Sequence, residues 1–236
     1  MKFTGCILLL IGSSFWVTAQ ESKSFTINPL KEKTAELTVN LYQYPTFLDG
    51  KVIFRDSALA FAKMNYHRLF GQILFLDENN DTLALANPET FLYVTIKNDT
   101  FYYVHKGFAR KLTHHKTKNL VLVQTIRYIG NEKAGPYGSY SAVASSNSNS
   151  TYTPDDQITQ YIELNQNLVY KYKNLFYLTD AFNNFFIASK KNFYNLFSRH
   201  TRALRQYLNT HKINFNKQQD LEQLLTFLQG LSEKSF

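Results

Sequence analysis

From residue 35 to about residue 128, apolar and polar positions alternate with a period of two, in short runs broken by Gly, Asp, Asn and Pro. Successive side chains of an extended chain point to opposite faces, so this alternation predicts strands with one buried face. The runs fall at 38–42, at 51–54 after a turn at Asp49-Gly50, and at 58–66, 72–76, 82–85, 91–96, 100–104, 108–112 and 120–128. The breaks carry turn chemistry. Asp77-Glu78-Asn79-Asn80-Asp81 is a polar turn, Pro88 lacks an amide donor and restricts Asn87, and Lys97-Asn98-Asp99 joins two strands as a hairpin. Strands and turns at this spacing predict an antiparallel meander.

The pattern fails over 130–156. Gly130, Gly135, Pro136 and Gly138 precede a Ser/Asn tract at 145–151, which has little to bury and reads as a loop or a linker. Strand-like runs resume at 160–164, 168–172, 175–178 and 185–188. The period then changes. Phe193, Leu196, Phe197, Leu204, Tyr207 and Leu208 recur at helical spacing over 190–209, behind an N-cap candidate at Ser189. Leu221, Leu224, Leu225, Leu228 and Leu231 form a second stripe, opened by Asn216 with Gln219 and stopped at Gly230. Two helices joined by 211–215 predict an amphipathic hairpin whose stripes cover the sheet. The fold class is therefore α+β, an antiparallel β-rich meander followed by a C-terminal helical hairpin. The helical period of the last stripe argues against an outer-membrane barrel, although the chain ends in Phe236.

The N-terminus has its own pattern. Lys2 precedes an apolar run from Cys6 to Val17, and Val17-Thr18-Ala19 offers the small residues a signal peptidase reads, with Gln20 as the new N-terminus. The run is too short to span a bilayer. The expected organisation is a signal peptide at 1–19, a flexible arm at 20–34, a β-rich body at 35–129, a loop or linker at 130–156, and further strands with the two-helix hairpin at 157–236. The expected location is outside the cytoplasm, in the periplasm or at the cell surface, with no membrane span after cleavage.

Composition narrows the chemistry. Cleavage removes the only cysteine, Cys6, so the mature chain has neither disulfides nor thiolate metal sites. It also removes Lys2, leaving 25 of the 26 Lys and Arg residues against 18 Asp and Glu. That excess is spread along the chain and favours anionic partners, and export argues against nucleic acid. Aromatic residues make up 16% of the chain, which suits half-buried pleated surfaces; a flat carbohydrate-binding platform is the alternative use. His114-His115 would point to opposite faces of a strand and lies in a polar turn. The 77–81 turn lacks the glycine and terminal glutamate of a calcium loop. Asp155-Asp156 is isolated. No G-x-S-x-G, H-E-x-x-H, phosphate-binding loop or dinucleotide fingerprint occurs, so no cofactor, metal or catalytic residue is assigned. Lys190, Lys191, Arg199, Arg202 and Arg205 crowd the non-apolar side of the first predicted helix, near His211, Lys212 and Lys217, as a candidate patch for an anionic envelope component.

The run from Asn65 to Asp77, then Asp81 to Glu89, Val94-Thr95-Ile96 and Thr100-Phe101 resembles exported proteins of Bacteroidota-type bacteria. So do Tyr137-Gly138-Ser139-Tyr140-Ser141 and the C-terminal run from Lys191-Asn192-Phe193 to Asp220-Leu221. That family has no assigned activity, so the resemblance implies compartment and architecture and carries over no catalytic residue. It also implies O-glycosylation sites at Ser57, in Asp56-Ser57-Ala58, and at Thr82, in Asp81-Thr82-Leu83. The function expected from these features is a non-catalytic envelope protein that binds or scaffolds an anionic component or another envelope protein. The alternative is a hydrolase of glycans or peptides with catalytic groups far apart in sequence. Intact-mass measurement of the protein exported by its native host is expected to give a chain beginning at Gln20; a mass that retains residues 1–19 overturns the export expectation.

Overall fold

The computed structural model describes residues 24–27, 40–105, 107–113, 118–134, 140–143 and 166–233. The expected signal peptide, the strand at 160–164, His114-His115, the Ser/Asn tract at 145–151 and Asp155-Asp156 lie outside the described residues. The rest is mostly antiparallel sheet followed by helices. Among the described residues twelve strands share one sheet: β1 (Ser24–Ile27), β2 (Leu48–Phe54), β3 (Leu59–His67), β4 (Gln72–Leu76), β5 (Thr82–Ala84), β6 (Phe91–Ile96), β7 (Asp99–Val104), β8 (Gly107–Lys111), β9 (Leu120–Ala134), β10 (Tyr140–Val143), β11 (Gln166–Thr179) and β12 (Phe185–Ile187). Their order is β1-β11-β9-β8-β7-β6-β2-β3-β4-β5, with β10 on β9 and β12 on β11. The expected meander is therefore two, β2–β5 and β6–β9, joined where β6 returns to pair with β2.

The sheet curls until the β3–β4 turn meets β8 and β9. Phe108 N–H donates to the Gly71 carbonyl at 3.1 Å, and Ile126 N–H donates to the Arg68 carbonyl at 3.2 Å. Gly71 sits at φ +65°, the left-handed region that costs a side-chain-bearing residue strain. Gly107 serves the same closure differently. A Cβ there would stand 3.2 Å from the Gly71 carbonyl oxygen. Inside the curl, Val52, Met64, Tyr66, Ile73, Phe91, Val94, Ile96, Phe101 and Phe108 pack as one apolar cluster. Strand register carries the same face outward from Phe108 through Arg110 to Leu122 and Phe176. There the helices take over as cover. These are α1 (Lys190–Leu196), α2 (Thr201–Thr210) and α3 (Gln218–Glu233). Phe193, Phe197, Leu204, Leu221, Leu224, Leu225 and Leu228 bury against Leu120, Leu122, Phe176 and Leu178. The opposite face of β9 and β11 carries a smaller cluster of Val104, Ala109, Val121 and Tyr177.

Several boundaries differ from expectation, each for a local reason. Asp49-Gly50 is strand, not turn: Gly50 is needed because a Cβ would stand 2.7 Å from Met64 Sδ. Asn40 and Leu41 are helical and Tyr42 makes an isolated bridge to His67, because Arg68 gathers this segment. Its guanidinium donates to the carbonyls of Asn40 and Tyr42 and to Gln43 Oε1. Ser24–Ile27, within the expected arm, is a strand on β11 with Ile27 buried. Of the expected loop at 130–156, residues 130–134 continue β9 and 140–143 form β10. Gly130, φ +154°, marks a bulge where the pairing steps past Ile129. The two strands expected at 168–172 and 175–178 are one, β11. The helix expected over 190–209 is interrupted by a 3₁₀ turn at Ser198–His200, where Phe197, Ser198, His200 and Thr201 around Arg199 are weak helix formers. Ser189 does cap α1, accepting from Asn192 N–H.

Leu225 is fully buried between sheet and helices, so Leu225→Ala is expected to cost about 2–4 kcal/mol by lost transfer energy and a residual cavity. Truncation before Ser189 is expected to uncover Leu120, Leu122, Phe176 and Leu178 and to abolish the cooperative melt. Unchanged thermal melts for both variants would show instead that the helices form a separable arm.

Candidate functional site

The inward stripes of α1 and α2 leave their other faces to solvent, and those faces are cationic. Lys190, Lys191, Arg199, Arg202 and Arg205 are all exposed. Their setting is more one-sided than the charge of the whole chain indicates. From Ala181 to Gln219 the sequence holds these five plus Lys212 and Lys217, and not one Asp or Glu. Among the described residues, ion pairs join Lys63 to Asp49, Arg110 to Asp99 and Lys217 to Asp220, and none involves the five cations of the patch. The field is felt by a neighbour. Lys118 lies 4.6 Å over the Phe197 ring, where burial, and then the charge of Arg199, lower its pKa.

Next to this face the chain from α2 to α3 forms a shallow groove of about 410 Å³. Leu208, Ile213 and Phe215 supply an apolar floor; Lys190, His211 and Lys212 supply a polar, basic rim. Aromatic stacking fixes the end of α2 beside it. His211 lies 4.0 Å from Tyr207 in parallel, and Tyr207 lies 4.3 Å from Phe227 of α3. A cationic rim over an apolar floor suits an anionic group attached to an apolar body. The groove's floor was not legible as a site, since Ile213 and Phe215 read only as the joint between helices. The run of residues without a carboxylate was the available signal.

The two glycosylation candidates sit apart from this face. Ser57 is exposed at φ +70° in the β2–β3 turn, where Asp56 Oδ1 accepts from Ala58 N–H at 3.0 Å. Thr82 is exposed at the start of β5. The turn before it is built on Asp77, whose Oδ1 accepts from Asn79 and Asp81 N–H, so the carboxylate serves the hairpin. Among the described residues no group of three His, Cys, Asp or Glu side chains is placed to hold a metal ion. No helix among them is long and apolar enough to cross a membrane.

The buried polar residues of the curl serve its architecture. Asn65, fully buried, accepts from Tyr44 N–H through Oδ1 and donates to the carbonyls of Tyr44 and Thr46 through Nδ2. Tyr66 OH donates to the Gln124 carbonyl, tying β3 to β9. His67 is 5% exposed, stacked on Phe70 and edge-on to Tyr42. Its Nδ1 accepts from Phe70 N–H at 3.3 Å, and burial lowers its pKa from 6.5 to about 4. No protein-family model matches the chain, and neither a curated protein nor a solved structure does.

A histidine held neutral in the fold but free to charge when unfolded makes stability depend on pH. Its contribution is complete above pH 6.5 and is lost as pH falls towards 4, because the unfolded chain binds the proton first. The loss is expected to approach ~3 kcal/mol at pH 4. Urea unfolding followed from pH 7 to pH 4 checks it, and His67→Gln is expected to flatten that part of the profile.

Proposed function

We propose that this protein is an exported envelope component that binds an anionic partner through the face formed by Lys190, Lys191, Arg199, Arg202 and Arg205, with the adjoining groove receiving the partner's apolar part. The observation that carries the reading is the 181–219 segment, which holds seven Lys and Arg and no carboxylate of its own, and in which Lys190, Lys191, Arg199, Arg202 and Arg205 project into solvent without an ion pair among the described residues. A solvated helix ordinarily intersperses both signs, for i,i+4 pairing and for solubility. A single-sign face creates a field whose use is attraction. The packing of α1, α2 and α3 as a helical cover supports a scaffolding role, since it presents this face on a fixed platform. The export pattern at 1–19 and the resemblance to exported proteins of Bacteroidota-type bacteria support an envelope partner, at the periplasmic side or the cell surface. O-glycosylation at Ser57 and Thr82 belongs to the same proposal and rests on their exposure, Ser57 in the β2–β3 turn and Thr82 at the start of β5.

A hydrolase would need two or more proton-transferring groups in one cleft. The groove offers only His211 beside two lysines, which supports binding over hydrolysis.

The test uses vesicles of phosphatidylglycerol mixed with phosphatidylcholine, vesicles of phosphatidylcholine alone, and dextran sulfate as a lipid-free polyanion. The protein is expected to bind at least one anionic probe, to ignore the neutral vesicles, and to release in salt. Each cation near an anionic surface contributes about 1 kcal/mol, so Arg199→Glu, Arg202→Glu and Arg205→Glu together are expected to weaken binding on the order of 100-fold or more. Vesicle or polyanion binding untouched by that triple change would overturn the reading.

A further inference from the structure

Two hairpin turns of this chain are built on the same plan. In the β4–β5 turn, Asp77 Oδ1 accepts from Asn79 N–H at 2.9 Å and from Asp81 N–H at 2.8 Å, and Asn80 takes φ +63°. In the β11–β12 turn, Asp180 Oδ1 accepts from Phe182 N–H at 2.8 Å and from Asn184 N–H at 2.9 Å, and Asn183 takes φ +60°. Asn184 Nδ2 adds a bond to Asp180 Oδ2 at 2.8 Å. Burial works against ionisation of Asp180, but the bonds from Asn184 and Phe182 outweigh it and keep its carboxyl below the usual carboxylate range. Both are Asx-type turns in which the aspartate does the structural work. The apex position is free of that work. It holds Asn79 in one turn and Phe182 in the other, and Phe182 is 86% exposed. Burial does not explain a phenylalanine there.

Phe182 lines a cleft of about 210 Å³ between the β11–β12 turn and the strands β6 and β7. Tyr102 and Phe185, 5.8 Å apart, line its wall, and Asn183, Asn184 and Arg55 supply the polar groups. Arg55 is pinned by its Nε–H to the Glu89 carbonyl at 3.0 Å, and no described residue accepts from its Nη groups. The side-chain amide of Asn183 likewise has no described partner. A bulge in β6, where the pairing with β2 steps from Tyr93 to Phe91, leaves Leu92 unpaired at the cleft. Bulges of this kind re-aim side chains next to binding sites.

We infer that this cleft binds a saccharide, one ring lying with its C–H face on Phe182 and its hydroxyls bonded to Arg55 and Asn183. The volume equals the liquid share of about seven waters, the scale of one sugar ring and below that of a drug-sized ligand. A sugar ring presents apolar C–H faces and a rim of donors and acceptors. The cleft answers with aromatic faces, a planar amide that both donates and accepts, and a fixed guanidinium. The inference stands apart from the cationic helical face, none of whose residues lines this cleft.

Calorimetric titration of the full chain with cellohexaose, laminarihexaose, chitohexaose and hexagalacturonate tests it. Saturable binding of at least one is expected. Phe182→Ala is expected to weaken that binding by about tenfold with an unchanged melting temperature. Asn183→Gly, which keeps the left-handed turn and deletes only the amide, is expected to weaken it several-fold. The Arg199, Arg202 and Arg205 charge reversal is expected to leave it unaltered, so the two sites fail separately. Absence of binding by all four saccharides, or binding that survives Phe182→Ala, overturns the inference.

Discussion

The backbone contact between the β3–β4 turn and the strands β8 and β9 is the constraint on which the rest of this structure depends. A sheet of this width can lie open, and the curl is what creates an inside. Two amide–carbonyl bonds, to Gly71 and to Arg68, hold the turn in place. Arg68 extends the same junction by its side chain, donating to Gln124 Oε1 at 3.1 Å on β9 while collecting carbonyls of the 40–43 segment. These bonds fix the 40–43 segment to the curl. The glycines follow from the same geometry. Gly71 supplies a conformation, Gly107 supplies proximity, and Gly50 supplies room for Met64.

Closure also explains why there are two apolar clusters on one continuous face. Phe108 belongs to the cluster inside the curl, and Leu112, two pairs of residues further along the same face, packs with the helices. Between them sits Arg110, 3.5 Å from Asp99, which also accepts from Tyr44 OH at 2.6 Å. This half-buried polar group divides the face into a part that the sheet covers by curling and a part that it cannot cover itself. The helices fill the second role, and their outward sides are left to solvent.

Much of this was legible in the sequence. Alternation located most strands of 51–128 to within a residue or two, because strands such as β2 and β6 bury one face, whereas β5 is exposed throughout. The helical stripes at 193–208 and 221–231 were visible for the same reason. What alternation could not show was long-range. Gly50 read as a turn because its packing partner, Met64, lies across a hairpin. Residues 40–42 read as strand because the guanidinium that gathers them is far along the chain. Ser24–Ile27 read as an arm because four residues carry too little pattern, and their partner strand is β11. Of the candidate surfaces, the five cations were legible from their spacing on a helix. The exposed Phe182 was not, since only the structure shows that its turn needs no aromatic residue.

The pairing of β1 with β11 has a consequence for the order in which the molecule can assemble. Ser24 lies opposite Lys171, and Ile27 opposite Leu168, so the first strand of the described chain docks on one of the last. Synthesis delivers β1 long before its partner. The strand must wait, unpaired, until most of the polypeptide has been made, and non-local pairing of this kind is slow to form. The topology thus makes completion of this side of the sheet a late event in assembly.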